Sequence, residues 1–171
     1  MTFALHVYDR EIHEGEHTSL SVLSSHIPPA AQVLDLGCGS GAIGRFLVRR
    51  GDDAVIDGLT LNTEEVALAA PHYRRVEVAN LDHTDLAVLF AGNRYDTIIC
   101  ADVLEHTCHP ERVLAGCRSL LTDSGRLLIS IPNVSYSGLI AELMAGEFRY
   151  RPEGLLDETH LRFFTRNTLI R

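Results

Sequence analysis

The chain has 171 residues, of which 46% are hydrophobic and 22% charged, values that are ordinary for one globular domain with a sizeable core. Its formal net charge is −8 and its basic residues never cluster beyond adjacent pairs, which argues against nucleic acid as a partner. The sequence contains neither an apolar run of membrane-spanning length nor a signal-peptide pattern at its start. We therefore expect a cytoplasmic protein that does not enter a membrane.

Hydrophobic periodicity and turn residues predict helices and strands that alternate along the chain. The predicted strands are residues 32–36, 54–59, 75–78, 95–100 and 126–131. The predicted helices lie near residues 16–27, 42–51, 62–70, 85–90, 110–121 and 136–143, with a further helix beginning after Thr165. Residues 123–125 are predicted to form a turn, and residues 146–160 to form a loop.

This alternation predicts one doubly wound α/β domain over residues 1–171, with a mostly parallel sheet and helices on both faces. We divide it into a helical lead-in (1–30), a ligand-binding core (31–134) and a lid over the acceptor side (135–171). In such sheets, ligands bind beyond the carboxyl ends of the strands, near the point where the strand order reverses. The site should therefore lie beside the first strand.

The run from Val33 to Gly41 joins an apolar strand to a glycine-rich turn and then to a helix. Glycines at such a turn allow positive φ angles and let a ligand approach the main chain. The carboxylate of Asp35, just before the turn, can accept hydrogen bonds from an ammonium group or from loop amides. The pattern predicts a site for a nucleoside-bearing cofactor, formed by Gly37, Cys38, Gly39 and Gly41 together with Asp35.

The segment Asp-Leu-Gly-Cys-Gly-Ser-Gly resembles the first motif of class I S-adenosylmethionine-dependent methyltransferases, which implies a Rossmann-like fold and S-adenosylmethionine as cofactor. A dinucleotide fingerprint can also be traced over residues 39–44, and it would instead imply an NAD-dependent oxidoreductase. We favour S-adenosylmethionine, because its ammonium group requires a nearby anion, whereas a pyrophosphate prefers bare amides at a helix N-terminus. A non-catalytic cofactor-binding domain of a larger protein is a further alternative.

The resemblance implies that the end of the second strand binds the cofactor ribose, with Thr60 and Leu61 at this position. Many members have an acid where this chain has Thr60, and this departure keeps the non-catalytic alternative open. Glu65 matches a ribose-binding residue of the similar cyclopropane fatty acid synthase branch, or else it completes a capping box with Asn62. Asp57 is a second candidate for the ribose.

After the third strand, Asn80, Leu81 and Asp82 occupy the region that contacts adenine in the family. Asp82 could instead cap the helix that follows. After the fourth strand, residues 101–106 resemble the Asp-x-Leu-Glu-His segment that lines the methyl-donor pocket, which implies that Asp102 and Glu105 contact the cofactor. His106 could act as a general base or only shape the pocket.

The segments 129–134, 146–150 and 154–165 resemble a bacterial methyltransferase subgroup associated with glycosyltransferases and surface-polysaccharide biosynthesis. This likeness implies a small-molecule acceptor such as a sugar or nucleotide-sugar hydroxyl. Asp157 and His160 are candidates for the base, within a polar loop that also contains Tyr150 and Arg162. The alternative is a lid whose charged side chains pair with one another. Tyr8 is a candidate cover for the methionine end of the cofactor.

No metal site is expected from residue spacing. His13 and His17 are four residues apart but lack an evident third ligand, and the cysteines at 38, 100, 108 and 117 form no Cys-x-x-Cys pair. Similar methyltransferases continue beyond the position of Arg171 into two more strands. We therefore expect this chain to lack those strands, and either a second copy or a larger parent chain to cover the open edge of the last strand.

Overall fold

The computed structural model describes residues 11–13 and 15–169. Its five strands form one parallel sheet in the order β3-β2-β1-β4-β5. The strands are β1 (Gln32–Leu36), β2 (Val55–Thr60), β3 (Arg75–Val78), β4 (Tyr95–Ala101) and β5 (Leu121–Ser130). The predicted α/β architecture is confirmed, with strand bounds within a residue or two of the prediction except at the start of β5.

The helices cover both faces of the sheet. They are α1 (Ser19–Ser25), α2 (Ala42–Arg50), α3 (Thr63–Ala69), α4 (Leu86–Leu89), α5 (Pro110–Leu120), α6 (Ser137–Met144) and α7 (Arg166–Leu169). Successive residues of β1 point to opposite faces: Val33 packs in one apolar cluster with α1 and α2, and Leu34 in another with α4 and α5. Within the described ranges, each helix is too short or too polar to cross a membrane.

Two local predictions are wrong. The turn at residues 123–125 is a bulge inside β5, because pairing moves from Leu121 to Arg126 while β4 advances only from Tyr95 to Thr97. The capping box of α3 is also incomplete. Asn62 accepts a hydrogen bond from the Glu64 amide at 2.9 Å, but the Glu65 side chain bonds elsewhere.

Asp57 lies inside the sheet and not at the cofactor end of β2, so its proposed ribose contact is wrong. Its fully buried side chain accepts hydrogen bonds from Arg74 Nε at 2.8 Å and from the Tyr95 hydroxyl at 2.6 Å. Burial alone would raise the pKa of Asp57, but these bonds outweigh it and the pKa is lowered. Asp57 is therefore a structural ion-pair centre.

Removing the Tyr95 hydroxyl should destabilise the fold. Tyr95→Phe leaves a buried, charged acceptor with one donor fewer, and we expect a loss of about 1.5–3 kcal/mol in the free energy of unfolding, measured by urea titration. The matched control is Tyr136→Phe, since Tyr136 is exposed, and it should change the value by less than about 0.5 kcal/mol. Equal effects of the two substitutions would contradict a stabilising role for the hydrogen bond from Tyr95 to Asp57.

Candidate cofactor and acceptor site

The turn after β1 is held against the end of β2 by main-chain hydrogen bonds. The amides of Gly37 and Cys38 donate to the Leu59 carbonyl at 2.8 and 2.9 Å. Gly37 and Gly41 have φ angles of +76° and +87°, and Gly39 has +52°, so all three adopt the left-handed region that favours glycine. The turn thus presents main chain, not side chains, at the edge where β1 meets β4.

Protein packing also requires two of these glycines. A Cβ at Gly37 would lie 2.5 Å from Val103 Cγ2, and one at Gly41 would lie 2.8 Å from Ala69 Cα. The sequence pattern suggested ligand approach as the reason for glycine, but here the close neighbours belong to the protein itself. The Cys38 side chain lies in the apolar core, and burial raises the pKa of its thiol. Only the main chain of Cys38 is therefore placed to contact a cofactor.

Asp35 is buried beside this turn, with 2% of its surface exposed. Its Oδ2 accepts a hydrogen bond from the Tyr73 hydroxyl at 2.6 Å, and its Oδ1 accepts none from the described residues. Burial raises the pKa of Asp35 to about 6, although the Tyr73 bond opposes this shift. The site therefore contains a carboxylate that a cation would stabilise. Tyr73 was missed because nothing in its sequence context links it to Asp35.

The end of β2 holds a buried pair of side chains. The Thr60 hydroxyl donates to the Glu65 carboxylate and also accepts from the Asn62 amide at 3.2 Å. The Thr60 hydroxyl thus makes its hydrogen bonds within the protein, and the bond that it donates positions Glu65. Leu61, by contrast, is 52% exposed just beyond the strand.

The loop after β3 is fixed by its own side chains. Asn80 Oδ1 accepts from the Asp82 amide at 2.8 Å, and Asp82 Oδ1 accepts from the Cys108 amide at 2.8 Å. Asp85, not Asp82, caps α4, so the capping interpretation of Asp82 is wrong. Asp82 joins the loop after β3 to the loop before α5, and the partly buried Leu81 packs against the core beneath it.

Asp102 follows β4 in a left-handed conformation, with a φ of +53° that is uncommon outside glycine. Its carboxylate accepts hydrogen bonds from the hydroxyls of Ser130 at 2.8 Å and Ser19 at 3.3 Å. The residue therefore links the ends of β4 and β5 to α1. Such strained conformations persist where surrounding contacts hold them, and they are enriched at functional sites.

Glu105 lies on a 3-10 turn (Leu104–His106) beyond β4 and is 1% exposed. Neither of its carboxylate oxygens has a hydrogen-bond partner among the described residues. Burial raises its pKa to about 7. The nearest cationic candidate is His160, whose Nε2 lies 4.0 Å from Glu105 Oε1.

The segment after α6 folds back over this turn and brings the two histidines together. The amides of Leu161 and Arg162 donate to the Glu105 carbonyl at 2.8 and 3.0 Å. The rings of His106 and His160 then lie 4.7 Å apart between centroids. Burial and the neighbouring His160 lower the pKa of His106, which favours its neutral form.

Asp157 is buried and accepts hydrogen bonds from the Thr159 amide and hydroxyl at 2.8 and 2.6 Å. Thr159, which the sequence did not single out, links Asp157 to His106. Charged side chains elsewhere in this region do pair, as Arg151 with Glu142 at 2.6 Å. The idea of a self-paired lid therefore fits the surface of the segment but not its Glu105-facing side.

The remaining sequence candidates are exposed or lie outside the described residues. Tyr8 lies outside the described residues. His13 is exposed beside Glu11, with 3.6 Å between Nε2 and Oε2, and His17 is also exposed. Tyr150 is exposed, and Arg162 donates to the Cys108 carbonyl at 2.6 Å.

Residues 8–171 match the model of the methyltransferase domain family. The chain belongs to this family. Two similar curated proteins are ubiquinone biosynthesis O-methyltransferases, one from Acinetobacter baylyi (27% identity over 86% of this chain and 65% of that protein) and one from Xanthomonas axonopodis (30% over 85% and 62%). The chain thus spans less than two thirds of the length of each of these relatives. The expected polysaccharide subgroup is not supported by them.

A solved structure with a similar fold is a SAM dependent methyltransferase from Archaeoglobus fulgidus. The TM-score is 0.65 at 18% identity, covering 88% of this chain and 63% of that one. This similarity confirms the Rossmann-like fold.

Asp35 should make the stability of the ligand-free protein fall as pH rises. Its folded pKa, about 6, exceeds the ordinary value of 3.8, so the folded state binds more protons between these values. The contribution is complete below about pH 4 and is lost through pH 6, an effect of at most about 3 kcal/mol. We expect the unfolding free energy of the wild type minus that of Asp35→Asn to decrease from pH 4 to pH 7. A value that stays constant with pH would contradict a raised pKa for Asp35.

Proposed function

We propose that this protein uses S-adenosylmethionine to methylate a hydroxyl group of a small-molecule acceptor. The observation that carries the proposal is the main-chain turn at the strand reversal, with the buried Asp35 carboxylate beside it and one of its oxygens without a donor among the described residues. Family membership and the O-methyltransferase names of similar proteins support the reaction class.

The residues present fit this cofactor. The Asp35 carboxylate would accept from the ammonium group, and the methionine tail would lie along the main chain of the glycine turn, whose Cys38 and Ser40 side chains are buried. Glu65, positioned by Thr60, offers a carboxylate for the ribose hydroxyls. The loop containing Asn80, Leu81 and Asp82 would contact the adenine, with exposed Leu61 beside it.

When bound, the cofactor supplies an activated methyl group on a sulfonium centre, so the protein must chiefly align the acceptor and exclude water. Glu105, His106 and His160 lie beyond β4, on the same sheet edge as the turn. Their arrangement supports removal of the hydroxyl proton from the acceptor. Asp157 would act as a positioning residue through Thr159.

The acceptor side supports a ring-shaped substrate. Phe148 packs edge-on against Tyr150 and Phe163, with centroids 5.3 and 6.2 Å apart, and Phe163 lies 6.4 Å from the His160 ring. These partly exposed rings offer a stacking surface next to the proposed proton acceptor. We therefore propose a ring-borne hydroxyl as the acceptor, and the name of the similar ubiquinone enzymes favours a phenolic one.

Calorimetric titration with S-adenosylhomocysteine tests the cofactor, with NAD as the competing ligand. We expect binding of the first ligand only. Binding of NAD alone would support an oxidoreductase, and binding of neither would contradict the proposal. Mass spectrometry of a catechol and of nucleotide sugars incubated with labelled S-adenosylmethionine then tests the acceptor. Binding without transfer to any acceptor would favour the non-catalytic alternative.

Glu65→Gln should weaken S-adenosylhomocysteine binding by about 10-fold or more, because hydrogen bonds to a charged acceptor contribute about 1.5–3 kcal/mol. The matched control is Glu64→Gln, which alters an exposed neighbour on the same helix turn. If the Glu65 variant and the wild type bind S-adenosylhomocysteine with equal affinity, Glu65 does not contact the ribose.

A further inference from the structure

We propose that Glu105, His106 and His160 bind one divalent transition-metal cation, which holds the acceptor hydroxyl. The binding site itself is independent of the proposed function, whereas the role assigned to the cation rests on it. One potential ligand atom from each residue lies within 4.8 Å of the other two. This assignment replaces the cofactor contact that the family resemblance implies for Glu105. With the cation bound, it also replaces direct proton removal by the histidines, whose lone pairs the cation would take.

The strongest evidence is the state of the Glu105 side chain. A buried carboxylate normally accepts several hydrogen bonds or pairs with a cation, because desolvation of an unpaired charge is costly. Both oxygens of Glu105 lack hydrogen-bond partners among the described residues although the side chain is 1% exposed. Since Arg162 and Leu161 instead bond to the Glu105 carbonyl, the local donors leave its carboxylate unsatisfied.

The hydrogen bonds of His106 fix which ring nitrogen is available. The Thr159 hydroxyl gives its single hydrogen to Asp157 Oδ1 at 2.6 Å, so its oxygen accepts from His106 Nδ1 at 3.0 Å. The Thr159 carbonyl, 3.3 Å from the same nitrogen, can also only accept. His106 therefore carries its proton on Nδ1, and its Nε2 has a free lone pair.

The same reasoning applies to His160. Its Nδ1 lies 3.3 Å from the Leu155 carbonyl, which can only accept, so the proton resides on Nδ1. Its Nε2 then lies on the side of Glu105, 4.0 Å from Oε1, where this tautomer would present its lone pair. Histidines that bind metals are neutral and coordinate through one ring nitrogen. The N–H of the other nitrogen donates a hydrogen bond to a carbonyl or towards a carboxylate, as it does here.

Two imidazoles and one carboxylate form a ligand set suited to zinc, manganese, iron or cobalt, and it leaves coordination positions open. Bonds to such ions are about 2.0–2.2 Å long, so two ligand atoms on one ion stand roughly 3–4 Å apart. The potential ligand atoms lie within 4.8 Å of one another, so the side chains would move inward to coordinate the ion. Exposed aromatic rings flank the open side, at Phe163 and Phe148.

The cation would act as a Lewis acid on the acceptor hydroxyl. The acceptor O–H bond breaks and its proton passes to solvent, leaving an alkoxide or phenoxide on the metal. That oxygen forms a bond to the methyl carbon of S-adenosylmethionine as the carbon–sulfur bond breaks. The sulfur keeps the electron pair and becomes a neutral thioether.

Cobalt(II) is the probe, because its visible d–d absorption reports imidazole and carboxylate coordination. After dialysis against EDTA, the full chain should bind one equivalent of cobalt and show this absorption. Glu105→Gln and His160→Gln should each weaken cobalt binding by at least about 100-fold, and Thr159→Val, which removes an outer hydrogen bond, by about 10- to 100-fold. The matched control His13→Gln, which alters the exposed histidine beside Glu11, should bind cobalt like wild type.

Circular dichroism checks that each variant is folded, and Thr159→Val carries the test if a ligand variant is not. Absence of stoichiometric cobalt binding by wild type, or wild-type affinity in the Glu105 and His160 variants, would overturn the proposal. S-adenosylhomocysteine titration of the EDTA-treated protein separates the two proposals. Cofactor binding without cobalt binding would contradict only the proposed metal site. Cobalt binding without cofactor binding would contradict only the proposed function.

Discussion

Two buried carboxylates without a guanidinium partner determine the character of this site. Asp35 and Glu105 lie near the ends of adjacent strands, β1 and β4, and none of the ion pairs found in the described residues joins either of them to an arginine. Asp57 shows the alternative within the same sheet, since Arg74 and Tyr95 satisfy it completely. Because an unpaired buried charge is unfavourable, these acids indicate where the protein gains stability from bound cations.

The remaining parts of the site serve to keep these acids in place. Tyr73 reaches Asp35 from the segment before β3, and the glycines of the turn let Val103 and Ala69 pack closely against the main chain. The segment after α6 supplies His160 and Thr159 from a region far along the chain. The cofactor half and the acceptor half of the site therefore come from different parts of the chain and meet at one sheet edge.

The fold was predictable because its signals are local. The apolar runs of β1 and β4, Pro110 at the start of α5 and Gly51 at the end of α2 all acted as expected. The positions of side-chain hydrogen bonds were not predictable. Nothing near Thr60 indicates that its hydroxyl binds Glu65, and the distance in sequence between His106 and His160 hid their proximity. Long-range contacts depend on how loops pack, which residue spacing does not encode.

The most direct test is the number of protons released when S-adenosylhomocysteine binds at pH 6, measured by calorimetry in buffers of different ionisation enthalpy. Asp35, with a pKa of about 6, is half protonated in the free protein. Contact with the ligand's ammonium group should ionise it and release roughly half a proton, a release that Asp35→Asn abolishes. Binding with no proton release, or with the same release in the variant, would contradict the claim that Asp35 pairs with the ammonium group of the cofactor.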